Sequence, residues 1–419
     1  MKNYKIAILS YRSAPFSGGQ GIYVTELSNA LSRLGHEVTV YSGPPYPNLN
    51  SKVKLEHFPG LDLFSTFNFY DRKEKFFKKK NKTFDDYYEF FVTLFGGFPE
   101  MRTFGNRMSV IDFHNNYDFV IDNQSLSFGM IDIQKHIPFA EVIHHPVVID
   151  KNYELQYSNG IIKKLLIFSW YSFLGMHRKV APQISQVITP SFNSKKDIEK
   201  YLNVNSENID VIPNGIDTET FEPKSNIEKD SFRLITTASA DIPLKGLDFT
   251  LNALSTLKDI YPKIKLVVIG NPRSGGHTDR LISKLDLNDR VSFKTNLTKS
   301  EIASEYARSN IAIVSSLYEG FGFPVGEAMA CEIPLIATNV ASIPEITSEY
   351  AELIEPADSI GIANAVKKIF TDYDKYLLKA RNGRIHIIKN FSWLVIAQKY
   401  ESLITCLLYT SDAADEADG

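Results

Sequence analysis

The opening residues leave little freedom of fold. Lys5-Ile-Ala-Ile-Leu-Ser10 is a short apolar run, followed by a loop carrying Gly18, Gly19 and Gly21. Val24, Leu27, Ala30, Leu31 and Leu34 then recur at helical spacing, Gly35 is placed to end the helix, and residues 38–41 are apolar again. Strand, helix, strand at this spacing is a βαβ unit, which requires a parallel sheet covered on both faces. Further strands are expected at 119–122, 141–144 and 186–189. The alternation restarts at 232–236 and continues through 266–270, 291–293, 311–314 and 334–337, with helices between. The expected class is α/β, two Rossmann-like doubly wound domains. A chain of 419 residues with 43% apolar content can fill two such cores.

Chemistry concentrates in Glu319-Gly-Phe-Gly-Phe-Pro-Val-Gly-Glu327, which lies between an apolar strand and a helical stretch. Gly320 and Gly322 let the backbone approach a ligand, and Pro324 suits a first helical turn. A helix start with free N–H groups attracts phosphate, whereas a carboxylate there accepts hydrogen bonds from hydroxyls. Phosphate donors beside hydroxyl acceptors suggest a nucleotide sugar. Taken singly, Glu327 could be a first-turn acid complementing the helix dipole and Glu319 a solvated loop residue.

Other motifs accompany it: Gly18-Gly-Gln-Gly21, His144-His-Pro146, Pro213-Asn-Gly-Ile-Asp217, Pro243-Leu-Lys-Gly246 and Ile343-Pro-Glu345. In this order and at these distances the set resembles family-4 retaining glycosyltransferases of the GT-B fold, over nearly the whole chain. The resemblance implies two domains facing each other across a cleft, with the ligand at the carboxyl ends of the strands. It implies an acceptor domain at 1–207, a nucleotide-sugar domain at 208–388, and a helix at 389–405 crossing back. It implies that His144, Lys245 and Glu319 are catalytic. It implies that Gly18, Gly19, Asn214, Lys245, Arg273, Glu319, Gly320, Phe321, Gly322, Phe323 and Glu327 bind the donor, Glu319 through sugar hydroxyls and Glu327 through ribose hydroxyls. The family pairs Lys245 with an arginine a few residues earlier. Ser239 and Ala240 stand there instead, and Arg273 is the candidate replacement.

Several classes are disfavoured. G-x-G-x-x-G is absent and the second strand ends in Tyr41-Ser42 without an acid, which argues against an NAD enzyme. A formal net charge of −3 gives no sign of nucleic-acid binding. No D-x-D or ligand cluster accompanies the histidines, so metal-independent transfer with no cofactor is expected. Cys331 and Cys406 imply no disulfide framework, and a reducing cytoplasm fits. Residues 406–419 read as a translated adapter joined to the chain and are set aside. Within 61–108, and most clearly over 72–91, lysines and aromatics are interleaved. This segment is either a solvated helix packing its aromatic side inward or a peripheral contact with the inner face of a membrane. The expected partners are a nucleotide sugar and a glycan or lipid-linked acceptor. A nucleotide-sugar epimerase and a non-catalytic nucleotide-sugar-binding subunit remain alternatives. An epimer formed without acceptor would identify the first, and binding without turnover the second.

Overall fold

A computed structural model describes residues 2–14, 19–63, 68–158, 160–238 and 240–418, with side chains through 409. The chain forms two compact units, Met1–Pro213 with Ile396–Gly419, and Asn214–Val395.

The first unit is built on seven strands, β1 (Lys5–Ser10), β2 (Glu37–Ser42), β3 (Lys54–His57), β4 (Phe119–Asn123), β5 (Phe139–Val142), β6 (Val187–Thr189) and β7 (Ile209–Val211). Their order is β3-β2-β1-β4-β5-β6-β7, and every pairing is parallel. Ile6 sits between Val38 and Phe119, and Ile6, Ile8 and Leu9 are fully buried. A central strand of a parallel sheet is covered on both faces, which is why this run does not alternate with polar residues. The strand order reverses between β1 and β4, the position at which open α/β sheets bind their ligands.

Two expectations change here. The first unit continues past 207 to Pro213, because Ile209–Val211 pairs with β6. The strand expected at 141–144 spans Phe139–Val142 instead, leaving His144 in the bend beyond it.

The segment 61–108 is neither one helix nor wholly solvated. It forms helices Phe69–Lys78, Phe84–Leu94 and Glu100–Met108. Phe76 stacks on Phe90 at 4.2 Å, and the two join Leu61 and Leu63 in a small separate core. Glu89 is buried beneath it and accepts hydrogen bonds from Leu61 N (2.7 Å), Thr103 Oγ1 (2.5 Å) and Arg107 Nη1 (3.0 Å). A buried carboxylate with three donors is a fixed anchor, not a solvated charge.

The second unit repeats the plan with six parallel strands, β8 (Arg233–Thr237), β9 (Lys265–Ile269), β10 (Val291–Lys294), β11 (Ile311–Val314), β12 (Leu335–Thr338) and β13 (Glu352–Ile354), in the order β10-β9-β8-β11-β12-β13. Successive residues feed opposite layers: Leu234, Ile311 and Ile313 join one core, Ile235, Ala312 and Val314 the other. The order reverses between β8 and β11.

The helix Tyr373–Phe391 ends at Ser392, which bridges to Ile216, and helix Trp393–Asp418 follows. The expected boundary at 388 therefore moves to Val395. Ile396, Ala397, Tyr400 and Ile404 bury one face of this last helix in the first unit, where the Tyr400 and Tyr23 hydroxyls meet at 2.5 Å. The junction expected at 406 falls inside the continuous helix. Among the described residues no helix is long and apolar enough to cross a membrane.

Candidate active site

In the second unit the two loops that flank the strand-order reversal carry the expected groups. After β8 the chain makes the turn Pro243–Lys245, closed by Gly246 at φ +64°. A Cβ on Gly246 would lie 1.9 Å from Ser315 O, so only glycine lets this turn rest against the end of β11. That approach brings Lys245 to the segment following β11. Lys245 Nζ donates to Glu319 Oε1 at 2.8 Å, and Ser316 Oγ donates to the same oxygen at 2.7 Å. Glu319 is buried, and among the described residues its Oε2 has no donor. Sequence reasoning gave these two residues separate tasks; the structure pairs them. An ammonium has three donors, so two remain for phosphate oxygens.

The loop between the two glutamates is held from below. Ser342 Oγ lies 2.9 Å from Glu319 O and 2.6 Å from Phe321 O, a forked donor at the start of helix Ile343–Thr347. The support thus comes from Ser342, the residue just before the Ile-Pro-Glu motif. Gly322, at φ +104°, caps helix Phe323–Ala330, with Pro324 in its first turn. The N–H groups of Phe321, Gly322 and Phe323 have no acceptor among the described residues, and Phe321 is buried edge-on to Phe323 at 5.4 Å. Helix N-terminal amides of this kind suit a phosphate. One turn on, burial pushes the Glu327 carboxyl up to about 7; Lys299 opposes this and Asp217 adds to it.

Arg273 is exposed in the loop after β9, and its backbone N–H donates to Asp241 Oδ2 at 2.8 Å. Asp241 Oδ1 accepts from Thr278 N at 2.9 Å. Burial raises the Asp241 carboxyl, but the amides of Thr278 and Arg273 outweigh it and hold it below its usual value. Asp241 therefore ties the Arg273 loop to the loop that carries Lys245. Ala240 is buried, and Ser239 lies outside the described residues. Asn214 is buried in its turn beside Gly215, where a Cβ would meet the Trp393 ring at 2.2 Å. Among the described residues no hydrogen bond joins Asn214 to Lys245 or Glu319.

In the first unit His144 is held on three sides. Its N–H donates to Gln124 Oε1 (3.0 Å), its carbonyl accepts from Ser194 Oγ (3.2 Å), and Nε2 lies 2.9 Å from Asn123 Oδ1. Asn123 Nδ2 donates to Ser10 Oγ, so Oδ1 is the atom facing the ring, and Nε2 carries the proton. Burial and then the neighbouring His145 lower the His144 pKa to about 3. The ring is uncharged at neutral pH, with Nδ1 as acceptor. His145 turns the other way, Nε2 to Asp150 Oδ2 at 2.7 Å. Gly18 lies outside the described residues; Gly19 opens helix Gly19–Arg33. Gly21 is structural: a Cβ there would meet Ala14 O at 2.0 Å.

Two family models match the chain: Glycosyltransferase Family 4 over residues 17–220 and Glycosyl transferases group 1 over residues 217–386. The chain is similar along nearly its full length to an MMP alpha-(1->4)-mannosyltransferase of Mycolicibacterium hassiacum, with 35% identity over 404 residues, 94% of this chain and 96% of that protein. The chain belongs to the group 1 glycosyltransferases. Its GT-B fold is shared with a sucrose-phosphate synthase from Thermosynechococcus elongatus (TM-score 0.71, 20% identity, 97% and 99% of the two chains). It is shared also with Anabaena HepE in complex with UDP and glucose (TM-score 0.68, 17% identity, 96% and 100%).

Sequence reasoning missed the residues that hold this glycosyltransferase's candidate groups in place. Asn123 and Gln124 fix His144, Ser316 and Ser342 fix the Glu319 loop, and Asp241 fixes the Arg273 loop. A polar pair at or just beyond the carboxyl end of an apolar strand, as at Asn123-Gln124 and Ser315-Ser316, was the available signal. Among the described residues no group of three His, Cys, Asp or Glu side chains is arranged to hold a metal.

Proposed function

We propose that this glycosyltransferase moves a hexose from a nucleoside-diphosphate sugar to a hydroxyl of a glycan or lipid-linked acceptor, retaining anomeric configuration and using no metal ion. One observation carries the reading. The loops flanking the β8/β11 reversal bring together one ammonium, one buried carboxylate and three amides that have no acceptor among the described residues. Lys245 and the amides stabilise the departing diphosphate, where negative charge develops. Glu319 Oε2 accepts a hydroxyl of the donor sugar and Glu327 the ribose hydroxyls. The departing phosphate oxygen takes the acceptor's proton on the same face. His144 offers its uncharged Nδ1 to a sugar hydroxyl and is not a proton donor at neutral pH. The similar Mycolicibacterium protein is a mannosyltransferase, so a mannosyl donor is the first to test.

The test is release of nucleoside diphosphate from GDP-mannose, UDP-glucose and UDP-N-acetylglucosamine, with and without a panel of glycan and lipid-linked acceptors, in EDTA. Acceptor-dependent release with an α-linked product is expected. An epimerised donor formed without acceptor, or loss of turnover in EDTA restored by magnesium, would overturn the reading.

We further propose a cytoplasmic enzyme with a peripheral contact to an anionic membrane surface. Within 72–91, Phe77, Phe84, Tyr87 and Phe91 are exposed although Phe76 and Phe90 are buried. Helix Ile161–Trp170 exposes Ile161, Ile162, Leu165, Leu166 and Phe168 around Lys163 and Lys164. Apolar side chains mixed with lysines suit an anionic interface. Sedimentation with anionic but not neutral vesicles is expected, and equal recovery with both removes the proposal.

A further inference from the structure

The first unit contains a second cluster of cations that the proposed chemistry does not use. Arg102, on helix Glu100–Met108, and Lys179, on helix Leu174–Val180, line one cavity of about 270 Å³. Its walls include Tyr88, Phe98, Phe128 and Phe173. The Arg102 guanidinium lies 4.8 Å from the Tyr88 ring centroid and 5.9 Å from that of Phe128, and Nη1 donates to Tyr88 OH at 3.4 Å. Phe98 is fixed edge-on to Phe173 at 5.7 Å and is capped by Arg12, which Glu100 neutralises at 2.6 Å. Among the described residues neither Arg102 nor Lys179 pairs with a carboxylate, and none lines the cavity.

We propose that this cavity binds a monosaccharide or polyol bearing a phosphate monoester, as the acceptor or its terminal unit. The aromatic walls supply apolar surface for the apolar face of a sugar ring. Stacking on Tyr88 and Phe128 orders the guanidinium fork before any ligand arrives, so less entropy is lost on binding. Two unit cations match the double charge of a monoester; a carboxylate or a phosphodiester carries only one. The volume falls just below the usual range of ligand pockets, about 300–1,000 Å³, and suits one ring rather than an oligosaccharide. The acceptor role rests on the transferase reading; binding does not.

Isothermal titration with glucose 6-phosphate, glucose, inorganic phosphate and glycerophosphoinositol tests both the class and its source. Glucose 6-phosphate should bind at least tenfold more tightly than each of the others. Arg102→Gln and Lys179→Gln, both at exposed positions, should each weaken it about tenfold with melting temperature unchanged. Lys245→Ala should leave it intact. Once a donor is known, Arg102→Gln should raise KM for a phosphorylated acceptor with kcat preserved. The proposal fails if glucose or inorganic phosphate binds as well, or if the diester, which has the chemistry of a lipid headgroup, binds better. It also fails if the two variants bind normally or if Lys245→Ala abolishes binding, which would place the anion at the donor loops. Absence of turnover with every nucleotide sugar, with this binding intact, would instead count against the transferase reading alone.

Discussion

At the scale of single residues, Glu327 makes the sharpest statement. Its carboxyl in the folded chain titrates near 7 rather than near 4.5, chiefly through burial. Between those two values the folded state holds a proton that the unfolded state has released. Stability of the second unit should therefore fall as pH rises through this window and level off above it, by about 3 kcal/mol at about 1.4 kcal/mol per pH unit. Urea unfolding from pH 4.5 to 8 should show this slope, and Glu327→Gln should flatten it. Ligand binding runs the opposite way. The ionised form is the better acceptor for ribose hydroxyls, so nucleoside affinity should rise about tenfold from pH 6 to 8. A plain nucleoside is the right probe, because a diphosphate titrates in the same range. A flat profile would remove Glu327 from the ribose. The cations can be ranked as well. Lys245 is committed to the buried Glu319, whereas the Arg273 side chain is exposed. Lys245→Ala should cost about tenfold to a hundredfold in diphosphate-sugar affinity, the worth of a charged hydrogen bond of about 1.5–3 kcal/mol. Arg273→Ala should cost less, and still weaken the diphosphate sugar more than the nucleoside. Equal small effects on both ligands would leave the clamp to Lys245 and the amides.

At the scale of elements, what was legible followed burial. Strands such as Ile6–Ser10 and Ile311–Val314 announce themselves because a parallel strand covered on both faces must be continuously apolar. The strands that were missed, Lys54–His57, Ile209–Val211 and Glu352–Ile354, all stand at sheet edges. An edge strand has one neighbour and half-open faces, so Lys54-Leu-Glu-His57 carries no apolar run to find. The same logic separates the glycines. Gly246 and Gly322 both have positive φ, so either alanine is strained by about 1–2 kcal/mol. Only at Gly246 would the new Cβ collide with backbone, Ser315 O at 1.9 Å; at Gly322 the nearest atom is 3.6 Å away. Gly246→Ala should thus lower the melting temperature clearly more than Gly322→Ala. It should also weaken nucleotide binding, because the turn it displaces carries Lys245. Equal shifts would mean that the turn can retreat from β11 at little cost.

At the scale of the whole molecule, the sequence conveyed the architecture twice over and the joints poorly. The βαβ opening and the restart at 232–236 point to two doubly wound units, and each unit has its own order reversal. The joints were misplaced because their signals are local and weak. Ser392 separates two helices with no proline or glycine, and Ile209–Val211 belongs to the first sheet by a pairing that no local pattern reveals. Of the candidate site, the sequence singled out the charged motif residues Lys245 and Glu319, which the structure pairs. Its supports were not legible, because Ser342 and Gln124 act through contacts made only on folding. The division suggests a last test. Residues 214–395 carry Lys245, Arg273, Glu319 and Glu327 together with both apolar layers of their sheet. Trp393 seals Gly215, and Ser392 bridges to Ile216, so the fragment keeps its own closure. Expressed alone, it should fold cooperatively and bind nucleoside diphosphate within about tenfold of the full chain. It should transfer no sugar, since it lacks His144 and the aromatic cavity. Circular dichroism, titration and product assay read the three outcomes. A folded fragment with no nucleotide affinity would show that Lys245, Glu319 and the helix amides are insufficient as a donor site.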